Sequence, residues 1–433
     1  MLNVKTILTT LSLCCYLSLL PVATQASDGK LREMQDWLYD NHQAELNGFV
    51  EMRAGVRTDR ELDEKDLSIG EARLQLDFSK QLDWGTFKIK TDFVGDGVEE
   101  EANAQLRELN LLFSPLGNMD VKVGRQVLTW GTGDMLFIND LFPKDWESFF
   151  IGRDDEYLKA PSDAIKTSFF FNAVNIDFVY VPVFNNSTYI DGSRLSYWNP
   201  LLDDNAGRDF IFDDIERNSF DDDDSASMRI SKNIKGVEYA LYGYYGFWST
   251  PKGLDPFAIK LTYPGLAVYG GSVRATLLGG IGNFEFGYYD SLDDQDGVNP
   301  LLPNSEIRTL VGFERELGQN LTGSMQYYLE YKQDYEEYVQ ALAPGANKDD
   351  EYRSLLTMRL TKLLKDQTLR LSFFAYYSPT DNDGYLRAKA NYKITDQWAV
   401  EAGGNLFFGK EDYTFFGQFE DNTNVFVGLR RNF

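Results

Sequence analysis

Five basic residues, Arg353, Arg359, Arg370, Arg387 and Lys389, fall at one parity along three consecutive alternating segments, with no acid at that parity among them. Cations aligned along a confined wall concentrate anions and favour their passage. The plainer use of the same row is to neutralise acidic loops that meet it. A second charged set comprises Arg125, Asp134, Asp140, Lys144, Arg153, Asp154, Asp155 and Lys159. All eight lie between Asp120 and Asp163, a stretch that opens as a strand and then loses its apolar alternation. So long a segment without strand pattern in a β-rich chain is functional or disordered, and Phe137, Phe142, Trp146, Phe149, Phe150 and Tyr157 argue for order. We read it as a loop folded back onto its own scaffold. There it would either set selectivity where a passage is narrowest or act as a lid held on the rim by Trp146, Phe149 and Phe150.

A third cluster is acidic: Asp203, Asp204, Asp209, Asp213, Asp214 and Glu216, then Asp221, Asp222, Asp223 and Asp224. Hard oxygen ligands at this density could hold Ca²⁺ or Mg²⁺ weakly, the run 221–224 above all, and such ions bridge to lipopolysaccharide. The spacing lacks the glycine and closing glutamate of a twelve-residue calcium loop, and a solvated charge run is the alternative. Catalytic constellations are poorly supplied. His42 is the single histidine, so triads and histidine metal sites lack their base, and no carboxylate pair is singled out for glycoside cleavage. Neither an enzyme nor a cofactor is expected. With 42 basic and 67 acidic residues, a net charge of −25, the chain is not a nucleic-acid binder.

These residues need a scaffold. Lys5, the apolar run from Ile7 to Leu20 and Pro21 to Ala26 have the regions of a secretory signal, so residues 1–26 are expected to be removed. Both cysteines, Cys14 and Cys15, go with it, leaving no disulfide. Residues 27–46, with Leu31, Met34, Trp37 and Leu38 at helical spacing, predict a short amphipathic helix at the periplasmic mouth or plugging the lumen, with a partly ordered tail as the alternative. Beyond it no run approaches the ~20 apolar residues of a spanning helix. From Gly48 the apolar residues alternate in segments of about ten, the length a tilted strand needs to cross a bilayer. Such segments include Ala72/Leu74/Leu76/Phe78, Met119/Val121/Val123, Leu356/Met358/Leu360 and Leu369/Leu371/Phe373.

Eighteen strands can be counted over 47–433, joined alternately by short turns and long loops. That sorting, with an even count, predicts an all-β chain closed into a transmembrane antiparallel up-and-down barrel whose third long loop folds inward. A soluble sandwich has no reason to sort its loops. Parity then points Arg53, Arg73, Arg308, Glu51, Glu285 and Glu401 into the lumen together with the five-cation row. Tyr242, Tyr244, Tyr245, Trp248, Tyr327, Tyr328 and Tyr331, near strand ends, are expected in an interfacial girdle. Pro182 lies inside an assigned strand, where it forfeits a ladder donor.

The closing segment Asn424 to Phe433 alternates and ends on an aromatic residue, resembling the C-terminal signal of bacterial outer-membrane barrels; Arg431 departs from that pattern. Gly124-Arg125-Gln126 followed by Trp130-Gly131 resembles the strand-end signature of porin-like and alginate-export-type barrels. The resemblance implies passive transport in the outer membrane of a Gram-negative bacterium, through a constricted lumen, for a small anionic or amphipathic solute or an acidic polymer. It leaves lipid, lipopolysaccharide and the barrel-assembly machinery as expected partners, and an inner-membrane exporter if the barrel serves a lipid or polysaccharide export system. A secreted β-sandwich binding protein is the remaining alternative. Plain parity turns Arg125 toward lipid, so either a bulge at Gly124 turns it inward or it stands above the membrane.

Overall fold

The computed structural model describes residues 21–59, 64–220 and 222–433, with side chains from residue 29. Most of the proposed signal lies outside the described residues. Eighteen antiparallel strands form one sheet, each paired with its neighbour in sequence. They are β1 (Ala44–Arg57), β2 (Leu67–Leu82), β3 (Gly85–Asp96), β4 (Glu101–Leu116), β5 (Met119–Val127), β6 (Pro161–Phe170), β7 (Asn175–Val181), β8 (Ser225–Ile234) and β9 (Val237–Phe247). The second half comprises β10 (Gly265–Leu277), β11 (Gly280–Ser291), β12 (Glu306–Gly318), β13 (Leu321–Lys332), β14 (Tyr352–Leu364), β15 (Leu369–Ser378), β16 (Asp383–Lys393), β17 (Trp398–Phe408) and β18 (Asn424–Asn432). The last strand returns to the first, Met52 opposite Leu429 and Val56 opposite Val425, so the sheet closes and no edge remains.

The connections alternate as the sequence predicts. At the short-turn end, Lys235-Gly236 and Leu278-Gly279 join their strands through two residues with positive φ, the backbone a tight hairpin demands. Pro182 follows the end of β7 rather than interrupting it, so its missing donor costs the ladder nothing. The helix is longer than the predicted one: α1 runs Pro21–His42, β1 begins at Ala44, and Trp37 and Tyr39 are more than half exposed. α1 packs on β1, with Gln35 donating to the Leu46 carbonyl at 2.7 Å.

Alternation along the strands gives the barrel two surfaces of opposite character. Val50, Met52, Leu241, Val311, Met325 and Val427 stand exposed on the outside. An apolar belt repeated around eighteen strands is far larger than the patches a soluble surface carries, and it matches a hydrocarbon environment. Buried residues collect inside, where Ile138, Phe149, Phe150, Ile151 and Leu158 of the third long loop pack against Tyr289, Leu310, Tyr376, Tyr385 and Phe407 of the wall. The expected aromatic girdle is therefore divided. Tyr245 and Tyr327 face outward, but Tyr242, Trp248 and Tyr328 are buried because the inserted loop supplies apolar partners inside. Trp248 meets Tyr289 at 5.6 Å, and Tyr242 meets Trp130 of the loop at 6.3 Å.

Candidate functional site

Residues 128–160, between β5 and β6, cross the lumen and bind its wall on several sides. The first crossing is held by Glu285 on β11. Its carboxylate accepts from the Thr132 and Gly133 backbone amides and from Asn139 Nδ2 at 3.0 Å. Asn283 donates to the Thr132 carbonyl at 3.1 Å, Tyr289 to that of Ile138 at 2.5 Å and Tyr376 to that of Met135 at 2.6 Å. These bonds satisfy loop backbone groups that would otherwise be buried without partners.

The chain then doubles back. Lys144 is buried against Asp140 at 3.0 Å and donates to the Phe142 carbonyl at 2.6 Å, while Thr129 donates to Asp140 at 2.7 Å. Asp145 caps the short helix α2 (Trp146–Ile151) through the Ser148 amide at 2.8 Å. That helix presents Phe149 and Phe150 to Tyr385, with Phe150 reaching Phe407 and Phe419.

The return arm is pinned by charge. Gly152 closes α2 in the left-handed region, φ 89°, and its carbonyl accepts from Arg53 at 2.6 Å. Arg153 is clamped on Glu71 of β2, and Asp154 meets Arg430 of β18 at 3.2 Å. Asp155 bridges Arg387 at 3.1 Å and Lys389 at 3.0 Å, both on β16. Burial alone would push the Asp155 carboxyl up, but these two cations outweigh it and hold it at about 2. Tyr157 donates to Asp92 at 2.7 Å beneath the guanidinium groups of Arg73 and Arg107, and Lys159 donates to Thr129 at 2.8 Å.

Where β14 to β16 face the loop, a cavity of about 90 Å³ remains. Arg359, Arg370, Arg387 and Lys389 line it, with Asp155 as the acid and Met135, Phe149, Phe373 and Phe374 as the apolar part. Arg359 pairs with Asp134 of the loop at 2.9 Å. Arg370, alone in the five-cation row, has no carboxylate within 4.0 Å among the described residues. Arg353 stands apart, bound to Asp381 at 2.7 Å. Four of the five cations thus neutralise loop acids, the plainer use considered for them, and the arrangement still leaves four cations around one cavity.

Several sequence expectations need correction. Arg125 does not reach the lumen: although Gly124 has φ 112°, the ladder stays regular and sets Arg125 opposite Leu109 and Asp163 on the outer face. It pairs there with Asp163 at 2.7 Å and donates to the Leu106 carbonyl. Asp140, Lys144 and Arg153 are consumed in buried pairs that fix the loop, so they do not face a solute. Among the described residues no three acids converge as metal ligands, and Asp221 lies outside them. Asp223 instead binds Arg217 at 2.9 Å and accepts from the Ser219 amide.

Two cations of the site were not anticipated. Arg107 sits at a bulge where Lys90 faces Glu108 but Thr91 faces Leu106, so it turns inward beside Glu108 and donates to the Lys159 carbonyl at 3.0 Å. The adjacent polar pair between Leu106 and Leu109 is the break in alternation that signals it. Arg194 comes from the fourth long loop and joins Glu147 at 3.2 Å and Asp96; no periodicity marks it.

No family model matches the sequence, and no curated protein matches it. Solved structures do. An OmpT loop L8 deletion mutant, an outer membrane protein of Vibrio cholerae, is 11% identical at a TM-score of 0.43, covering 90% of this chain and 99% of that one. Salmonella typhi OmpF in complex with daunomycin is 10% identical at 0.45, covering 91% and 98%. A Rhodopseudomonas blastica porin triple mutant is 12% identical at 0.40, covering 90% and 100%.

Proposed function

We propose that the chain is an outer-membrane channel of a Gram-negative bacterium, passing small anionic or amphipathic solutes through a lumen narrowed by residues 128–160. The cavity between the loop and β14 to β16 carries this reading, since four cations and four apolar residues line one space inside a closed, outwardly apolar barrel. Fixed cations in a partly desolvated passage lower the cost of moving an anion through it. About 90 Å³ suits one acidic group, whether of a small solute or of one unit in an acidic polymer of the alginate-export kind. Lipid and lipopolysaccharide are the surroundings this requires, with the barrel-assembly machinery as the partner of insertion.

Conductance of the purified barrel in planar bilayers, with reversal potentials across a salt gradient, tests the reading. Anion-preferring steps are expected; an electrically silent barrel or strong cation preference overturns it. The loop's bonds to β1, β2, β11, β15, β16 and β18 favour a second reading, a barrel kept narrow until an inner-membrane exporter engages it. Crosslinking in intact cells followed by purification separates the two, since only the exporter reading predicts an inner-membrane partner.

A further inference from the structure

The charges that alternation turns outward differ between the two ends of the barrel. Beside the short turns they are Lys80 on β2, Lys232 on β8, Arg315 on β12, Lys362 on β14 and Arg431 on β18. Each continues an outward row: the exposed Met228, Val311 and Val427 precede Lys232, Arg315 and Arg431 at the same parity. Met358, opposite the exposed Met325, precedes Lys362, and Leu74, opposite the exposed Val50, precedes Lys80. No acid of the eighteen strands takes that register in this half of the barrel. The long-loop end is mixed instead, with Arg125 paired to Asp163 and with Asp290 two residues beyond the outward Tyr288.

Apolar and aromatic neighbours set the height of these cations. Lys80 lies opposite Phe87, Lys232 opposite Tyr239 and Lys362 opposite Leu371, while the Arg431 guanidinium stands 5.7 Å from the centre of the Trp398 ring. Among the described residues no carboxylate pairs with Lys80, Lys232, Arg315 or Lys362, and Lys362 donates to the Gln319 carbonyl of its turn at 2.7 Å. Long basic side chains between an apolar belt and water carry their charge into the headgroup layer. Arg431, which breaks the apolar pattern of the closing strand, thereby belongs to a row.

We propose that this one-signed rim is a docking surface for anionic glycerophospholipids of the periplasmic leaflet, of which phosphatidylglycerol is the simplest. Short turns face the periplasm in outer-membrane barrels, so the rim meets the inner leaflet. Charge complementarity selects the occupant. A surface that needs only polarity tolerates both signs, as the opposite rim does, whereas cations without an acid favour headgroups of net negative charge over zwitterionic ones. The proposal concerns the outer face and is independent of solute passage.

Electron spin resonance on the barrel reconstituted in phosphatidylcholine vesicles, with a trace of spin-labelled phosphatidylglycerol or phosphatidylcholine, measures which lipid stays on its surface. Phosphatidylglycerol should be favoured about twofold at low salt, falling toward equality as salt screens the rim. Lys232→Gln, Arg315→Gln and Lys362→Gln combined should remove most of the preference. Lys232→Arg with Lys362→Arg should keep it, which separates lost charge from a disturbed barrel, and Arg125→Gln at the opposite rim should leave it unchanged. Equal association of the two lipids with the parent barrel, a preference that the triple glutamine variant retains, or one that Arg125→Gln abolishes would overturn the assignment. Anion-preferring conductance beside equal lipid association would remove the rim site and leave the channel reading intact.

Discussion

Two side chains state the residue-scale case. Arg370 is the cation of the row that loop acids leave uncompensated, so Arg370→Glu should reduce the anion-to-cation permeability ratio by about threefold or more, as a reversed charge in a confined passage does. Reversal potentials measure this, and the ratio should stay put when Arg353, already bound to Asp381, is changed to Gln. Glu147 provides a pH test. Burial pushes its carboxyl up to about 7, against the pull of Arg194 and Arg153, so the docked loop keeps a proton that a free chain releases near 4.5. Docking therefore weakens as pH rises from about 4.5 to 7 and changes little above that. Protease cleavage of the loop should be slower at pH 5 than at pH 8, and Glu147→Gln should flatten the difference; equal rates for the parent chain at both values would contradict this.

Among elements, the inserted loop depends on how α2 ends. Gly152 is left-handed, and a Cβ there would lie 2.3 Å from the Phe426 ring, so alanine meets both backbone strain and a clash. Gly152→Ala should cost the docked loop about 1–2 kcal/mol, raising cleavage near Arg153 roughly tenfold while leaving the barrel's resistance to detergent unchanged. Strand elements were the legible part of the chain, because a half-buried strand writes its two surfaces as alternation. The bulge that turns Arg107 inward is local and survives in sequence as the adjacent Arg107-Glu108 pair. The loop's docking leaves no such trace: Glu285 and Tyr289 are ordinary inward strand residues until Gly133 and Ile138 arrive against them.

The whole molecule sets the balance between wall and loop. Replacing Thr132 to Lys159 by a short linker should raise single-channel conductance severalfold and also increase anion preference, because Arg359, Arg387 and Lys389 lose Asp134 and Asp155. A fall in anion preference would mean that the loop's own cations set selectivity. Chain order and periodicity by themselves determined the eighteen strands, their up-and-down order, the sorting of turns from loops and the face of the charges that lie on regular ladders, since each follows from the period of two and from neighbours in sequence; Arg107, at its bulge, is the exception. Only the tertiary structure decided which charges stay available: Asp155 and Lys389 are 234 residues apart, and Arg53 and Glu401 are 348 apart. Pairing at such separations depends on where barrel closure and loop insertion bring two side chains together. Alternation records which way a residue points and carries no record of what will stand opposite it.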